Sequence, residues 1–192
     1  MNPRIRNLSS RLLSDNWYKL YQYTFDYLSQ KGHWKNQSRE AYDRGNGAAV
    51  LLYNPENASI LLTRQFRLPT YVNGNPDGLM IEVCAGLLDG DEPEQCIRKE
   101  ILEETGYRVN DIQKIMECYM SPGAVTEVLH FFTAQYSPAM KVSEGGGLEE
   151  ENEDIEVIEV KLEEAMQMIS RGEIRDGKTI LLLQHASINR LC

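Results

Sequence analysis

A 192-residue chain with 42% hydrophobic and 26% charged residues fits one cored globular domain, alone or with a smaller appendage. Its formal charge of −9 excludes binding of a nucleic acid polymer through a general basic surface, but not a small phosphorylated ligand whose charge a divalent metal offsets. No apolar run approaches the ~18–20 residues of a membrane span, and the N-terminal "MNPRIRNLSSRLLSDNW" lacks an apolar secretory centre, so a cytoplasmic protein with no membrane partner is expected.

In chain order, "WYKLYQYTFDYL" (17–28) alternates, placing Trp17, Tyr21, Tyr23, Phe25 and Tyr27 on one face of a strand. Lys31–Gly32 reads as a turn, and a more polar strand follows through Ser38, Arg39 and Glu40 to Tyr42. These form an N-terminal antiparallel β-hairpin, residues 1–44, ahead of a main domain at 45–192. "AAVLLY" and "ASILLTRQF" flank the turn "NPEN" and predict a second antiparallel pair. "GLMIEVCAG" reads as a strand ending at Gly86; a short loop then leads to Pro93, which opens a helix ending near Gly106. Strands are expected near Ile112–Met120 and Glu127–Tyr136. The pattern then fails over the glycine-rich, acidic "KVSEGGGLEEENED". "IEVIEVKL" predicts a last strand, and "EEAMQMISRG" and "KTILLLQHASI" predict helices. The fold class is α/β, a sandwich of helices around a mixed sheet.

The cysteines at 84, 96, 118 and 192 are widely spaced with no Cys-x-x-Cys pair, so neither a zinc site nor a disulfide framework is expected. His33, His130 and His185 are isolated and read as structural.

"CIRKEILEETGY" (96–107) raises the functional question. At ~100° per residue, Glu100, Glu103 and Glu104 share an arc of roughly 100° bordering the apolar stripe of Ile97 and Ile101. Glu100 and Glu104 are a like-charged i,i+4 pair, and water screens such a pair less near an apolar surface. A solvated acidic face with a Lys99–Glu103 pair is one reading. The other is a carboxylate cluster aimed back at a strand-end carbonyl, an all-oxygen donor set suited to Mg²⁺ or Mn²⁺.

The stretch "GLLDGDEPEQCIRKEILEETGY" resembles the signature box of the Nudix hydrolases, Gly-x5-Glu-x7-Arg-Glu-U-x-Glu-Glu-x-Gly-U, where U is aliphatic or bulky. Glu100, Ile101, Glu103, Glu104, Gly106 and Tyr107 match its C-terminal half. The box here is one residue short, which sets Asp91 where the family has its first Glu, and Lys99 stands at the usual Arg. "LLSDNWYKL", "YDRGNGAAVLLYN", "RQFR", "YVNGN", "YMSPGAVTE" and "GEIRDGKTILLL" extend the likeness, over nearly the whole chain, to the bacterial GDP-mannose hydrolases of that family. A wider nucleotide-sugar group includes ADP-ribose pyrophosphatases.

The resemblance implies a Nudix-type α/β/α sandwich, hydrolysis of a nucleoside-diphosphate sugar, and a homodimer. The products are GMP and mannose 1-phosphate from GDP-mannose, or alternatively AMP and ribose 5-phosphate from ADP-ribose. A non-catalytic nucleotide-sugar sensor would have lost helix glutamates, and all three are present. The metal ligands implied are Ala85 through its carbonyl, Glu100, Glu104 and Glu153, with Glu150 or Glu151 as alternatives to Glu153. Glu103 and Glu104 are assigned to catalysis with Glu153 and Glu127. Glu127, after "SPGAVT", reads either as a general base or as a strand-start carboxylate paired with a lysine. Substrate contacts fall to Trp17, Ser38, Arg39, Glu40, Arg67, Ala85, Gly86, Leu87, Glu104, Glu127, Asn152, Glu153 and Lys178. Arg67 can fork onto phosphate oxygens, whereas Arg64 is the structural arginine of "RQFR". Lys178 follows a glycine at a helix start, a place suited to phosphate. Trp17 either stacks on a base or buries a dimer seam.

Overall fold

The structure is a computed structural model that describes residues 2–148, 150 and 153–192. It divides into two compact units, Met1–Asn46 with Tyr119–Val128, and Gly47–Cys118 with Leu129–Cys192.

The first unit is a three-stranded antiparallel sheet in the order β1 (Ile5–Asp15), β2 (Lys19–Leu28), β3 (Trp34–Asp43). β2 and β3 pair without a break from Lys19↔Asp43 to Leu28↔Trp34. The expected hairpin therefore gains a third strand. β1 carries "IRNLSSRLLSD", in which ten of eleven positions are exposed, so no face needed burying and no alternation marked it. Backbone pairing to β2 holds it, with irregularities between Arg6 and Ser9 and between Leu12 and Ser14. Trp17 belongs to the β1–β2 connection rather than to the β2 stripe, and is 84% exposed. The 119–128 segment joins this unit through Tyr42 N–H to the Ala124 carbonyl (2.8 Å) and Thr126 N–H to the Tyr42 carbonyl (3.1 Å).

The second unit is built on a seven-stranded mixed sheet. Its main path runs β10 (Glu156–Lys161), β5 (Ser59–Phe66), β4 (Gly47–Asn54), β9 (Val128–Gln135), β8 (Ile112–Tyr119). β4 is antiparallel to β5 and parallel to β9. The single strand expected over 78–86 is two, β6 (Leu79–Glu82) and β7 (Cys84–Leu87), because each pairs a different neighbour. β6 runs along β5, with Thr63↔Glu82, whereas β7 runs along the first half of β4, with Ala49↔Ala85. The break falls at Val83, whose N–H leaves the ladder to bond Thr179 Oγ1 at 2.8 Å.

Successive residues of β4 point to opposite faces, and Ala48 to Leu52 are all buried, so both faces are covered. Ala48, Val50 and Leu52 share one cluster with Cys84, Cys96, Ile97, Ile101 and Phe132. The Val, Leu, Ile and Phe side chains among them each contribute roughly 1.5–3 kcal/mol by leaving water. Helix α2 (Pro93–Glu100) supplies Cys96 and Ile97 to this face. Pro69 lies in a one-turn helix, α1 (Leu68–Val72), which sequence periodicity is too short to reveal. Helices α3 (Leu162–Ser170) and α4 (Gly177–Asn189) close the chain, and α4 packs on β4 and on α3.

Candidate active site

Pro93 opens α2 at its first turn, and Arg98 and Lys99 in the last turn complement the negative end of the helix dipole. From Ile101 to Thr105 the expected α-helix widens into a single π-helical turn, closed by Gly106 at φ +78°. Only glycine fits there, since a Cβ would overlap the Ser143 carbonyl. The wider turn carries Glu104 from the edge of the apolar stripe into the interior, where it is 2% exposed.

Glu104 is the most unusual group in the unit. The Cys84 thiol, on β7, hydrogen-bonds to its carboxylate, yet Oε2 is buried with no hydrogen-bond partner among the described residues. Burial pushes its pKa up to about 8, and the nearby charges of Glu100 and Glu153 push the same way, against Cys84 and Arg67. Three glutamates at the C-terminal end of a helix also oppose its dipole. A buried, unpartnered carboxylate oxygen among like charges at a helix's negative end is a place for a cation.

Glu100 closes the other side. Its carboxylate lies on Gly86 of β7, where any Cβ would overlap it. The glycine keeps this approach open between helix end and strand. Ala85 and Leu87 flank it, and the Leu87 carbonyl accepts from Cys96 Sγ at 3.1 Å. Glu103 is less enclosed and pairs with Lys99 at 3.6 Å, the pairing that the solvated-face reading foresaw. The helix thus carries one glutamate in a surface ion pair and one with a buried, unpartnered oxygen among the described residues.

The glycine-rich stretch without a pattern has a definite role. Gly146 N–H donates to the Glu104 carbonyl (2.8 Å) and Gly147 N–H to that of Glu103 (3.1 Å), satisfying carbonyls at the end of the helical segment. Ile155 N–H returns to the Gly146 carbonyl (3.1 Å), and Glu153 Oε2 accepts from Leu148 N–H (3.1 Å). This strap brings Glu153 close enough for its charge to act on Glu104. Glu150 is exposed. Asn152 and Glu151 lie outside the described residues.

Arg67 and Lys178 converge, though on a residue that periodicity alone had not singled out. Glu82, 4% exposed at the end of β6, accepts from Arg67 Nε (3.0 Å) and Nη2 (2.6 Å) through Oε2, while Oε1 lies 3.3 Å from Lys178 Nζ. Burial works against its ionised form, but Lys178 and Arg67 outweigh it and hold its pKa below the ordinary value. The signal was present in "LMIEVCAG", a charge inside an apolar strand, since such a charge needs a partner. Arg64 pairs with Glu156 on the neighbouring strand, as a structural arginine should.

Trp17, Ser38, Arg39, Glu40 and Glu127 belong to the N-terminal unit. Ser38, Arg39 and Glu40 are exposed on β3, with Arg39 bonded to the Ser38 carbonyl (2.7 Å) and to Gln37 Oε1 (3.0 Å). Glu127 pairs with Arg44 at 3.5 Å, an arginine in place of the lysine that sequence reasoning allowed. His130 of β9 lies 3.2 Å from Glu117 of β8, consistent with a structural role. All four cysteines are free thiols.

Among the described residues, no three Asp, Glu, His or Cys side chains are already grouped to hold a metal ion. The individual features nevertheless fit a hard divalent ion, namely oxygen donors only, the orphaned Glu104 Oε2 and the glycine-kept approach of Glu100.

Comparison with known proteins gives this geometry a family. A model described as the GDP-mannose pyrophosphatase NudK N-terminal domain matches residues 4–42, and the NUDIX domain matches residues 43–186. A GDP-mannose pyrophosphatase of Yersinia enterocolitica is 56% identical over 100% of this chain and 99% of its own. One from Yersinia pestis is 52% identical over 98% and 94%, and one from Cronobacter sakazakii 53% over 98% and 97%. With a NUDIX domain over most of its length and relatives this similar end to end, the chain belongs to the Nudix family of pyrophosphohydrolases, enzymes that generally need a divalent metal ion.

Proposed function

We propose that this chain hydrolyses the pyrophosphate bond of GDP-mannose, giving GMP and mannose 1-phosphate, with Mg²⁺ (or Mn²⁺) held by the Ala85 carbonyl, Glu100, Glu104 and Glu153. The observation that carries the reading is Glu104, buried with one carboxylate oxygen unpartnered. The relatives' names supply the choice of GDP-mannose over ADP-ribose.

The reaction adds water across the P–O–P bridge: one bridging P–O bond breaks, the water oxygen bonds to that phosphorus, and its protons pass to product oxygens and solvent. When bound, the divalent ion neutralises phosphate oxygens and acidifies water. Arg67 and Lys178 draw in the negatively charged diphosphate and orient it. Glu103, only partly enclosed, and Glu153, carried on the glycine strap, can accept a water proton, as can Glu127. Gly86 and Leu87 line the strand along which the phosphates approach. Trp17, Ser38, Arg39 and Glu40 contact the base, by stacking and by hydrogen bonds to its edge. Asn152 is assigned to the substrate with Glu153.

Residues 1–44 are proposed as a dimerisation segment ahead of a catalytic domain at 45–192, with the active form a homodimer. The break between the two matched families, after residue 42, supports the division. No helix is long and apolar enough to cross a membrane among the described residues, and the free thiols accord with a reducing cytoplasm.

A substrate panel in ¹⁸O-water with chromatographic resolution of nucleotides tests the assignment. GDP-mannose turnover that requires Mg²⁺ and exceeds ADP-ribose turnover is expected. Faster turnover of ADP-ribose would overturn the substrate, and no turnover of either would overturn the enzyme.

A further inference from the structure

Arg67 and Lys178 come from distant parts of the chain, the end of β5 and the start of α4, yet they meet at one carboxylate. Glu82 gives Oε2 to both Nε and Nη2 of Arg67, and Oε1 to Lys178. Lys178 is held from a second side by Asp176 Oδ1 at 3.2 Å. Asp176 in turn caps α4, its Oδ2 accepting from Thr179 N–H (2.9 Å) and Oγ1 (2.6 Å). Thr179 Oγ1 accepts from Val83 N–H, the residue next to Glu82, so the contacts close into a ring through β6 and α4. The ring joins the chain at Glu82 and Val83, at the break just before β7 and two to three residues ahead of Ala85.

The side chains are exposed in a telling order. That of Glu82 is 6% exposed, those of Lys178 and Arg67 15% and 40%. The carboxylate is at the bottom and the cations reach outward from it. A surface salt bridge would leave all three in water and fix nothing. Here the buried anion anchors Arg67 on one side and leaves its other side open, while Lys178 is held between Glu82 and Asp176 with a smaller part exposed. Arg67 is also near enough to the carboxylate cluster for its charge to act on Glu104.

We infer that Glu82 is a positioning residue for phosphate recognition: it divides its two oxygens between Arg67 and Lys178, and so fixes the spacing and direction in which two cations face a diphosphate. The inference rests on the proposed role of Arg67 and Lys178 as phosphate contacts. It also predicts an opposition of signs. Glu82 orients the cations but partly neutralises them. Replacing it with glutamine leaves the shape, removes the negative charge and turns an amide N–H₂ toward Lys178. Both cations then attract an anion more strongly and hold it less accurately.

The test compares wild type with Glu82→Gln, Glu82→Asp, Arg67→Gln and Lys178→Gln, all as full-length protein. Affinity for inorganic pyrophosphate is measured by calorimetry without metal, kcat and KM with GDP-mannose and Mg²⁺, and Tm on each. For Glu82→Gln, pyrophosphate affinity is expected to rise severalfold while kcat falls at least tenfold. Glu82→Asp keeps the charge but shortens the reach, so kcat falls with no gain in affinity; it decides the matter if the glutamine variant does not fold. Arg67→Gln and Lys178→Gln should each weaken pyrophosphate binding. Parallel losses of affinity, kcat and Tm in both Glu82 variants would reduce Glu82 to a structural residue and overturn the inference. So would an unchanged kcat in both. If the Arg67 and Lys178 variants bind pyrophosphate normally, the phosphate-contact reading itself fails and the inference falls with it.

Discussion

Glu82 and Glu104 are both buried carboxylates in one unit, and their surroundings are opposite. Glu82 lies between an arginine and a lysine, and its pKa is held down despite burial. Glu104 has a thiol on its carboxylate, an orphaned oxygen and two further glutamates nearby, and its pKa is driven up to about 8 by burial. The first is satisfied by the fold. The second leaves Oε2 without a hydrogen-bond partner among the described residues. Folding alone would not retain such a group, since a buried polar atom without a partner costs ~1–3 kcal/mol. The pair separates a carboxylate that the fold satisfies from one whose Oε2 has no partner among the described residues.

The largest expected effect falls on Glu104. Glu104→Gln preserves shape but removes the charge that would hold a divalent ion, and should lower kcat about 10³-fold, or about 4 kcal/mol. The same change should stabilise the metal-free protein, because it removes a carboxylate that the fold does not satisfy. One pKa unit corresponds to about 1.4 kcal/mol, so the ceiling at pH 8 is roughly 4–5 kcal/mol. Thermal melts with and without EDTA check both signs. A variant that is less stable without metal, or as active as wild type at limiting Mg²⁺, would break the contrast.

Glu82→Leu should do the reverse to stability. It strands Arg67 beside an apolar side chain and leaves Lys178 with Asp176 alone, and breaking a buried pair in this way costs about 3–5 kcal/mol. The partial exposure of both cations moves the expectation to the lower end of that range. Urea unfolding of metal-free protein gives the value. Two buried glutamates, each replaced by a neutral residue, should therefore shift stability in opposite directions.

What the sequence carried of this contrast follows from which interactions are local. The box from Gly86 to Tyr107 announced Glu100, Glu103 and Glu104 because a helix brings i, i+3 and i+4 together. The apolar runs on either side of "NPEN" likewise announced the β4–β5 antiparallel pair, a hairpin of local contacts. The π-helical turn was not legible, since the wheel assumes one period, and that turn takes Glu104 from stripe edge to interior. Glu82 was visible only as a charge out of place, because its partners lie 15 residues away at Arg67 and almost a hundred away at Lys178. β1 left no mark because it buries no apolar face, its side-chain ties being polar ones such as Arg6 and Asn7 to Asp26, and the glycine strap left none because its bonds run from amides to the carbonyls of Glu103 and Glu104.

The contrast also has a pH signature of intermediate size. Glu104 has a folded pKa above its unfolded value of 4.5, so its stabilising contribution is complete below pH 4.5 and lost as pH rises through about 8. Glu82 has a lowered pKa, so its contribution is present above 4.5 and lost as pH falls through the folded value. Metal-free Tm should therefore decline from both ends. Glu104→Gln should flatten only the decline between pH 5 and 8, and added Mg²⁺ should raise Tm more at pH 8 than at pH 5.5. An alkaline decline that persists unchanged in Glu104→Gln would assign it to some other group.

The smallest effect extends the same question, satisfied or unsatisfied, to two tryptophans of the N-terminal sheet. Trp34 has a partner, the Arg6 guanidinium 3.9 Å above its ring. Trp17 is 84% exposed, with Tyr18 edge-on beside it, its ring centroid 6.2 Å away. An indole held in water without a face-on partner adds little to folding, so Trp17→Ala should change stability by no more than ~0.5 kcal/mol. If its role is to stack on the base, the loss should appear in binding instead, at about 1–3 kcal/mol per stacked base, or roughly 5-fold in KM at the lower end. Trp34→Ala should show the converse, losing about 0.5–1 kcal/mol of stability with its cation–π contact and leaving KM unchanged. Kinetics and melts on the two variants measure both quantities. A KM loss at Trp34 and none at Trp17 would mean that exposure marks nothing here, and that base recognition belongs to the paired face of the sheet.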